Sequence, residues 1–141
     1  MEASINFALR GVSVEQFATI FVPTSDNIQL DLNVPIHTNY DDRAIAVGAK
    51  VQYLDNNQIF LIAEVLCHFV IKEESWSELT VTETRDAIIP KSLINNFVRI
   101  AIGTLRGALC VKAENTPYSK YFLPLINMAD DYGEDLVISA K

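Results

Sequence analysis

The sequence predicts an α+β fold: a four-stranded antiparallel sheet, then one long helix, then a short C-terminal segment. Three observations predict it. Residues 5–72 are rich in β-branched and aromatic side chains and are cut by short polar turn clusters. After Pro90 the apolar positions change to helical spacing. Past that helix little remains except an aromatic loop and an acidic tail.

The strands follow in order. Residues 5–22 form the first, closed by the turn cluster Pro23-Thr24-Ser25-Asp26-Asn27. In residues 28–38, Ile28, Leu30, Leu32 and Val34 point one way and Gln29, Asp31 and Asn33 the other. Pro35 cannot donate to a ladder, so this strand is bent or lies at a sheet edge. Asn39-Tyr40-Asp41-Asp42 is the next turn. Residues 44–54 and 58–72 then pair as an antiparallel hairpin across Asp55-Asn56-Asn57. On the second of these, Ile59, Leu61, Ala63, Val65, Cys67, Phe69 and Ile71 alternate with Phe60, Ile62, Glu64, Leu66, His68 and Val70. Both sets are largely apolar, so both faces call for a cover.

The helix spans residues 91–112. Pro90 suits its start, and Asn115 with Thr116-Pro117 stops it. Leu93, Ile94, Phe97, Val98, Ala101, Ile102, Leu105, Ala108 and Leu109 form its apolar stripe. One helix covers one sheet face, and self-association is the simplest cover for the other. Val65 and Cys67 are the strand residues expected at such an interface. Gly103 and Gly107 lie on one helix face, each costing roughly 1 kcal/mol against alanine. Either a neighbouring subunit's backbone or tight packing within the chain would account for them.

Composition narrows function. The 141 residues fit one domain, residues 1–141, and 50% hydrophobic content is enough for a core. Lys and Arg number 11 against 18 Asp and Glu, a net charge of −7, which argues against nucleic acid and anionic membrane as partners. Met1-Glu2-Ala3-Ser4 lacks the basic and apolar regions of a signal peptide, so the cytoplasm is expected. Cys67 and Cys110 read as reduced, buried small hydrophobes.

No catalytic chemistry emerges from the motifs. There is no nucleophile elbow, phosphate loop or dinucleotide fingerprint. His37 and His68 lie on different strands without zinc spacing, so no metal or other cofactor is expected. Asp41-Asp42, Glu73-Glu74 and Asp130-Asp131 are adjacent carboxylates, which point apart on extended chain and read as solvated turns and edges. Asp130, Asp131, Glu134 and Asp135 read as a solvated acidic tail. Tyr118, Tyr121, Phe122 and Leu123 crowd the loop after the helix, either packing back on the sheet or lining a groove.

Several stretches, in this order, resemble the SecB family of export chaperones. They are Leu9-Arg10-Gly11-Val12 with Glu15, Ile28-Gln29-Leu30-Asp31-Leu32, Phe60-Leu61-Ile62-Ala63-Glu64-Val65, and Leu123-Pro124-Leu125-Ile126-Asn127-Met128. The resemblance covers residues 5–128. It departs from the best-known members in two ways. Only Ala129 to Lys141 remain where they have a second helix, and Pro90 stands about one helical turn further from Arg106-Gly107.

The resemblance implies a homodimer or tetramer that holds unfolded polypeptides without ATP and passes them to the translocase motor ATPase. It places that motor's basic tail at Glu64 and Ile62, with Glu15 nearby, and clients at the groove containing Tyr118, Tyr121, Phe122 and Leu123. Some relatives instead serve toxin–antitoxin systems. The rival from another class is a hot-dog-like oligomer that binds or hydrolyses a small molecule. Its helix belongs among the early strands, whereas this one follows them all. A purely structural interaction module is a third alternative.

Overall fold

A computed structural model describes residues 4–125 and 134–140. Its elements are β1 (Phe7–Thr19), β2 (Ile28–Asn33), β3 (Ile36–Asn39), β4 (Ala44–Asp55), β5 (Gln58–Ile71), α1 (Glu73–Leu79), β6 (Ala87–Ile89), α2 (Lys91–Ala113) and β7 (Leu136–Ile138). The fold is α+β, as the sequence predicts. The sheet runs β1-β5-β4-β2, with β3 also on β4, and all its pairings are antiparallel.

The four expected strand lanes are present, one of them in two pieces. β2 pairs with residues 50–55 of β4 and β3 with residues 44–47. The break falls at Val34-Pro35, as the missing N–H of proline requires. There the chain crosses close over β4. A Cβ on Gly48 would stand 2.9 Å from Pro35 Cγ and 3.0 Å from the Val65 carbonyl oxygen, so only glycine admits the crossing. The Gly48 N–H donates to the Pro35 carbonyl at 2.8 Å. At the β4–β5 hairpin, Asn56 and Asn57 take φ of 57° and 69°, a region asparagine tolerates better than most residues.

α2 lies on one face of β4 and β5. Ile45, Val47, Ala49 and Val51 of β4 and Leu61, Ala63, Val65, Cys67, Phe69 and Ile71 of β5 are buried beneath it. From the helix, Leu93, Ile94, Phe97, Val98, Ala101, Ile102, Leu105 and Leu109 meet them. The rings of Phe69 and Phe97 stack with centroids 3.9 Å apart. Asn115, at φ 63°, ends the run where the sequence expects it to stop.

Three features differ from the sequence reading. A bulge at Phe60 puts that ring in the core and sends Ile59 to the opposite face, reversing their expected placement. Glu73-Glu74 opens a short helix, where acidic side chains favour the exposed N–H groups of the first turn. The tail residues Leu136–Ile138 form a ribbon with β6, and Asp135 is engaged rather than free in solvent. Ile126, Asn127 and Met128 of the resembling segment, and Asp130 and Asp131 of the acidic tail, lie outside the described residues.

Candidate functional site

The covered face of the sheet is wider than the helix. β1 extends it by one lane. Cross-strand pairing sets Leu9 opposite Phe69, Val12 opposite Cys67 and Val14 opposite Val65. The β5 residues of these pairs are at most 1% exposed, yet Leu9, Val12 and Val14 are 48–49% exposed. Two bulges, at Arg10 and Glu15, keep these residues on one face despite their irregular spacing. β1 is also a sheet edge, so one side of its backbone is unpaired by any described strand.

The near flank of α2 continues this surface. Thr104 marks it, because its hydroxyl lies 3.7 Å from the Cys67 sulfur. Ile100, Gly107 and Val111 share that helix face at spacings of four, three and seven residues from Thr104. Ile100 and Val111 are exposed, and a Cβ on Gly103 or Gly107 would meet nothing within 4 Å. Tight packing within the chain therefore does not account for the glycines. The result is an exposed apolar surface that runs from β1 to the near flank of α2, closed between them by the contact of Thr104 with Cys67.

Val65 and Cys67, expected at a subunit interface, belong instead to the row sealed under α2 within the chain. Their β1 partners Val14 and Val12 occupy the accessible position. Burial pushes the Cys67 thiol up, against a smaller opposite effect of the Thr104 contact. Cys110 is exposed on α2, not buried as the sequence suggested.

The loop after α2 divides by residue. Tyr118 and Leu123 are buried, so they are core rather than groove. Tyr121 is half-buried, its ring 5.0 Å from that of Phe60 and 5.9 Å from that of Tyr53. Burial raises the Tyr53 hydroxyl to about 12. Phe122 is 64% exposed and Leu125 90%. Arg106 pins the segment between them, donating to the carbonyls of Leu123 at 2.9 Å and Pro124 at 3.0 Å. Two apolar side chains are thus displayed around an anchored backbone.

The other sheet face is less apolar than alternation along one strand implied. Glu64 sits between Gln16 and Lys50, Ile62 between Ala18 and Gln52, and His68 between Gly11 and Ala46. Glu64 and Ile62 do share this face, as expected. Glu15 occupies a bulge and accepts a hydrogen bond from Ser13 Oγ at 2.5 Å, and Ser13 Oγ lies 3.2 Å from His68 Nε2. That contact draws Glu15 toward the same face.

The sequence reading missed Leu9, Val12, Val14, Ile100 and Val111. On the helix, the shared face of Ile100, Thr104, Gly107 and Val111 was a usable signal. On β1, the bulges hid the pattern. Among the described residues no group of three or more His, Cys, Asp or Glu is placed to hold a metal ion. Nor is any helix long and apolar enough to cross a membrane.

No protein-family model matches the chain, and no curated protein does. Among solved structures, it is similar to a SecB-like chaperone of Mycobacterium tuberculosis in complex with a ChAD peptide from an antitoxin. The identity is 15%, the coverage 88% of this chain and 91% of that chain, and the TM-score 0.39.

Proposed function

We propose that this chain is a non-enzymatic holding chaperone of the cytoplasm, which self-associates and binds unfolded polypeptides without nucleotide. The observation that carries the proposal is the pairing of Phe122 and Leu125, both exposed, around a backbone that Arg106 and buried Leu123 hold in place. Apolar groups held out of the core on fixed backbone suit partners that present apolar segments. The ordered resemblance to export chaperones in the sequence supports the same reading.

Self-association would use the exposed apolar surface of β1 and the neighbouring flank of α2. A second copy there would bury Leu9, Val12 and Val14 and give Gly103 and Gly107 a close neighbour. An obligate interface buries on the order of 2,000 Å² or more. Light scattering coupled to size exclusion at micromolar concentration should show a dimer or tetramer, and Gly107→Leu should shift it toward monomer. A clean wild-type monomer would remove this part of the proposal.

The holding activity is tested by adding the protein, at stoichiometric ratio and without nucleotide, to unrelated denatured proteins. Suppressed aggregation that is lost in the double variant Phe122→Ser, Leu125→Ser is the expected result. Wild-type protein that leaves aggregation unchanged would overturn the chaperone reading. Delivery of clients to the translocase motor is the finer proposal, resting on Glu64 and Ile62. Glu64→Lys should abolish binding of the motor's basic tail and leave the oligomer intact. Unchanged tail binding by the variant would remove Glu64 as the docking site, and wild-type protein that does not bind the tail would favour service outside export, such as in a toxin–antitoxin system.

A further inference from the structure

The tail is bound to the rest of the chain in the way a peptide ligand is bound. Leu136–Ile138 runs antiparallel along β6, with Ala87 opposite Ile138, Ile88 opposite Val137 and Ile89 opposite Leu136. Alternate side chains divide inward and outward: Ile138 is 3% exposed and joins the core, while Val137 is 58% exposed. Each end of the segment is tied by a carboxylate. Asp86 Oδ1 accepts from the Ala140 N–H at 3.0 Å, and Asp135 Oδ1 accepts from the Lys91 N–H at 2.9 Å. Lys91 is the first residue of α2, whose N-cap Pro90 provides no side-chain cap. Asp135 therefore satisfies a helix donor that α2 cannot satisfy itself.

Backbone pairing along a strand edge, a buried pocket for alternate side chains and a charged end contact together describe strand addition. We propose that the β6 edge and the first turn of α2 form a binding site for extended polypeptide segments of the pattern acid–apolar–any–apolar. Residues 134–140 are its resident occupant, and a client segment displaces them. The identity of that client rests on the holding reading; the site does not. β7 is three residues long and pairs with β6 alone, and a two-stranded ribbon contributes little stability by itself. A tethered occupant nevertheless competes at an effective concentration of order millimolar, so it blocks the edge until it is weakened or outcompeted.

The test uses the whole chain and a fluorescein-labelled peptide, Glu-Asp-Leu-Val-Ile-Ser-Ala-Lys, copied from residues 134–141. Ile138→Asp places a charge at the buried position and releases the resident without altering β6. Fluorescence anisotropy should show this variant binding the peptide at least about tenfold more tightly than wild type, because the tethered competitor is weakened. A peptide with aspartate in place of its isoleucine should bind neither protein. If the folded variant fails to bind the first peptide, or binds both peptides equally, the proposal is overturned. Should Ile138→Asp not fold, Ile138→Ala should give a smaller gain in the same assay, and no gain overturns the proposal. Tail-peptide binding by a chain that holds no denatured client would retire the holding reading and keep the site. Holding without tail-peptide binding would do the reverse.

Discussion

β1 and β5 are neighbouring strands, one lane apart, with side chains of equal apolarity on the same face, yet one row is sealed and the other half open. Val65, Cys67 and Phe69 are at most 1% exposed, against 48–49% for Val14, Val12 and Leu9. The difference is one of reach. A helix is about 10 Å across with its side chains, and strands are spaced by about 4.8 Å, so one helix covers about two lanes. α2 covers β4 and β5; β1 meets it at Phe7, whose ring lies 5.0 Å from that of Phe97, while Leu9, Val12 and Val14 are left open. An apolar residue's role here depends on which lane it occupies, not on its type.

The largest expected effect lies in the covered lane. Phe97→Ala removes a ring stacked on Phe69 and should cost roughly 3–5 kcal/mol in chemical denaturation. Val12→Ala, in the open lane, should cost about 1 kcal/mol or less in the isolated chain and act mainly on assembly. Equal losses for the two variants, measured below the association concentration, would mean that β1 is as tightly packed as β5.

The loop after α2 repeats the contrast at a smaller scale. Tyr121→Ala should destabilise by roughly 2 kcal/mol, below the range for a fully buried aromatic, because its half-buried ring packs on Phe60 and Tyr53. The neighbouring Phe122→Ala should leave the melting temperature nearly unchanged and weaken client holding. Parallel loss of stability in both would place Phe122 in the core as well.

The smallest effect is one of reactivity. At mildly alkaline pH a thiol reagent should modify Cys110 rapidly, while Cys67 reacts only as fast as the chain opens. Cys67 is buried and its thiol is shifted up, so little of it is thiolate. Two equally fast thiols would mean that the face under α2 is accessible. Cys110 shares its helix face with Gly103, seven residues earlier, so slow modification of Cys110 confined to the assembled protein would place the partner copy over that face.

The order of strands, the long helix and its stop at Asn115, and the break at Pro35 were all legible in the sequence. Each depends on local chemistry: the period of apolar residues, a missing N–H, or a residue that tolerates positive φ. What only the tertiary structure decided depends on neighbours distant in sequence. The bulges at Arg10, Glu15 and Phe60 arise from pairing between strands, and each breaks the alternation that would otherwise assign a face. They carried Phe60 into the core and aligned Leu9, Val12 and Val14 along an open edge. Tyr118 and Leu123 became core because the loop folds back, while Phe122 between them did not. Asp135 read as part of a solvated tail because its partner, the Lys91 N–H, lies 44 residues earlier in the chain. Local pattern chose the elements, and long-range packing chose which of their apolar residues remain available to a partner.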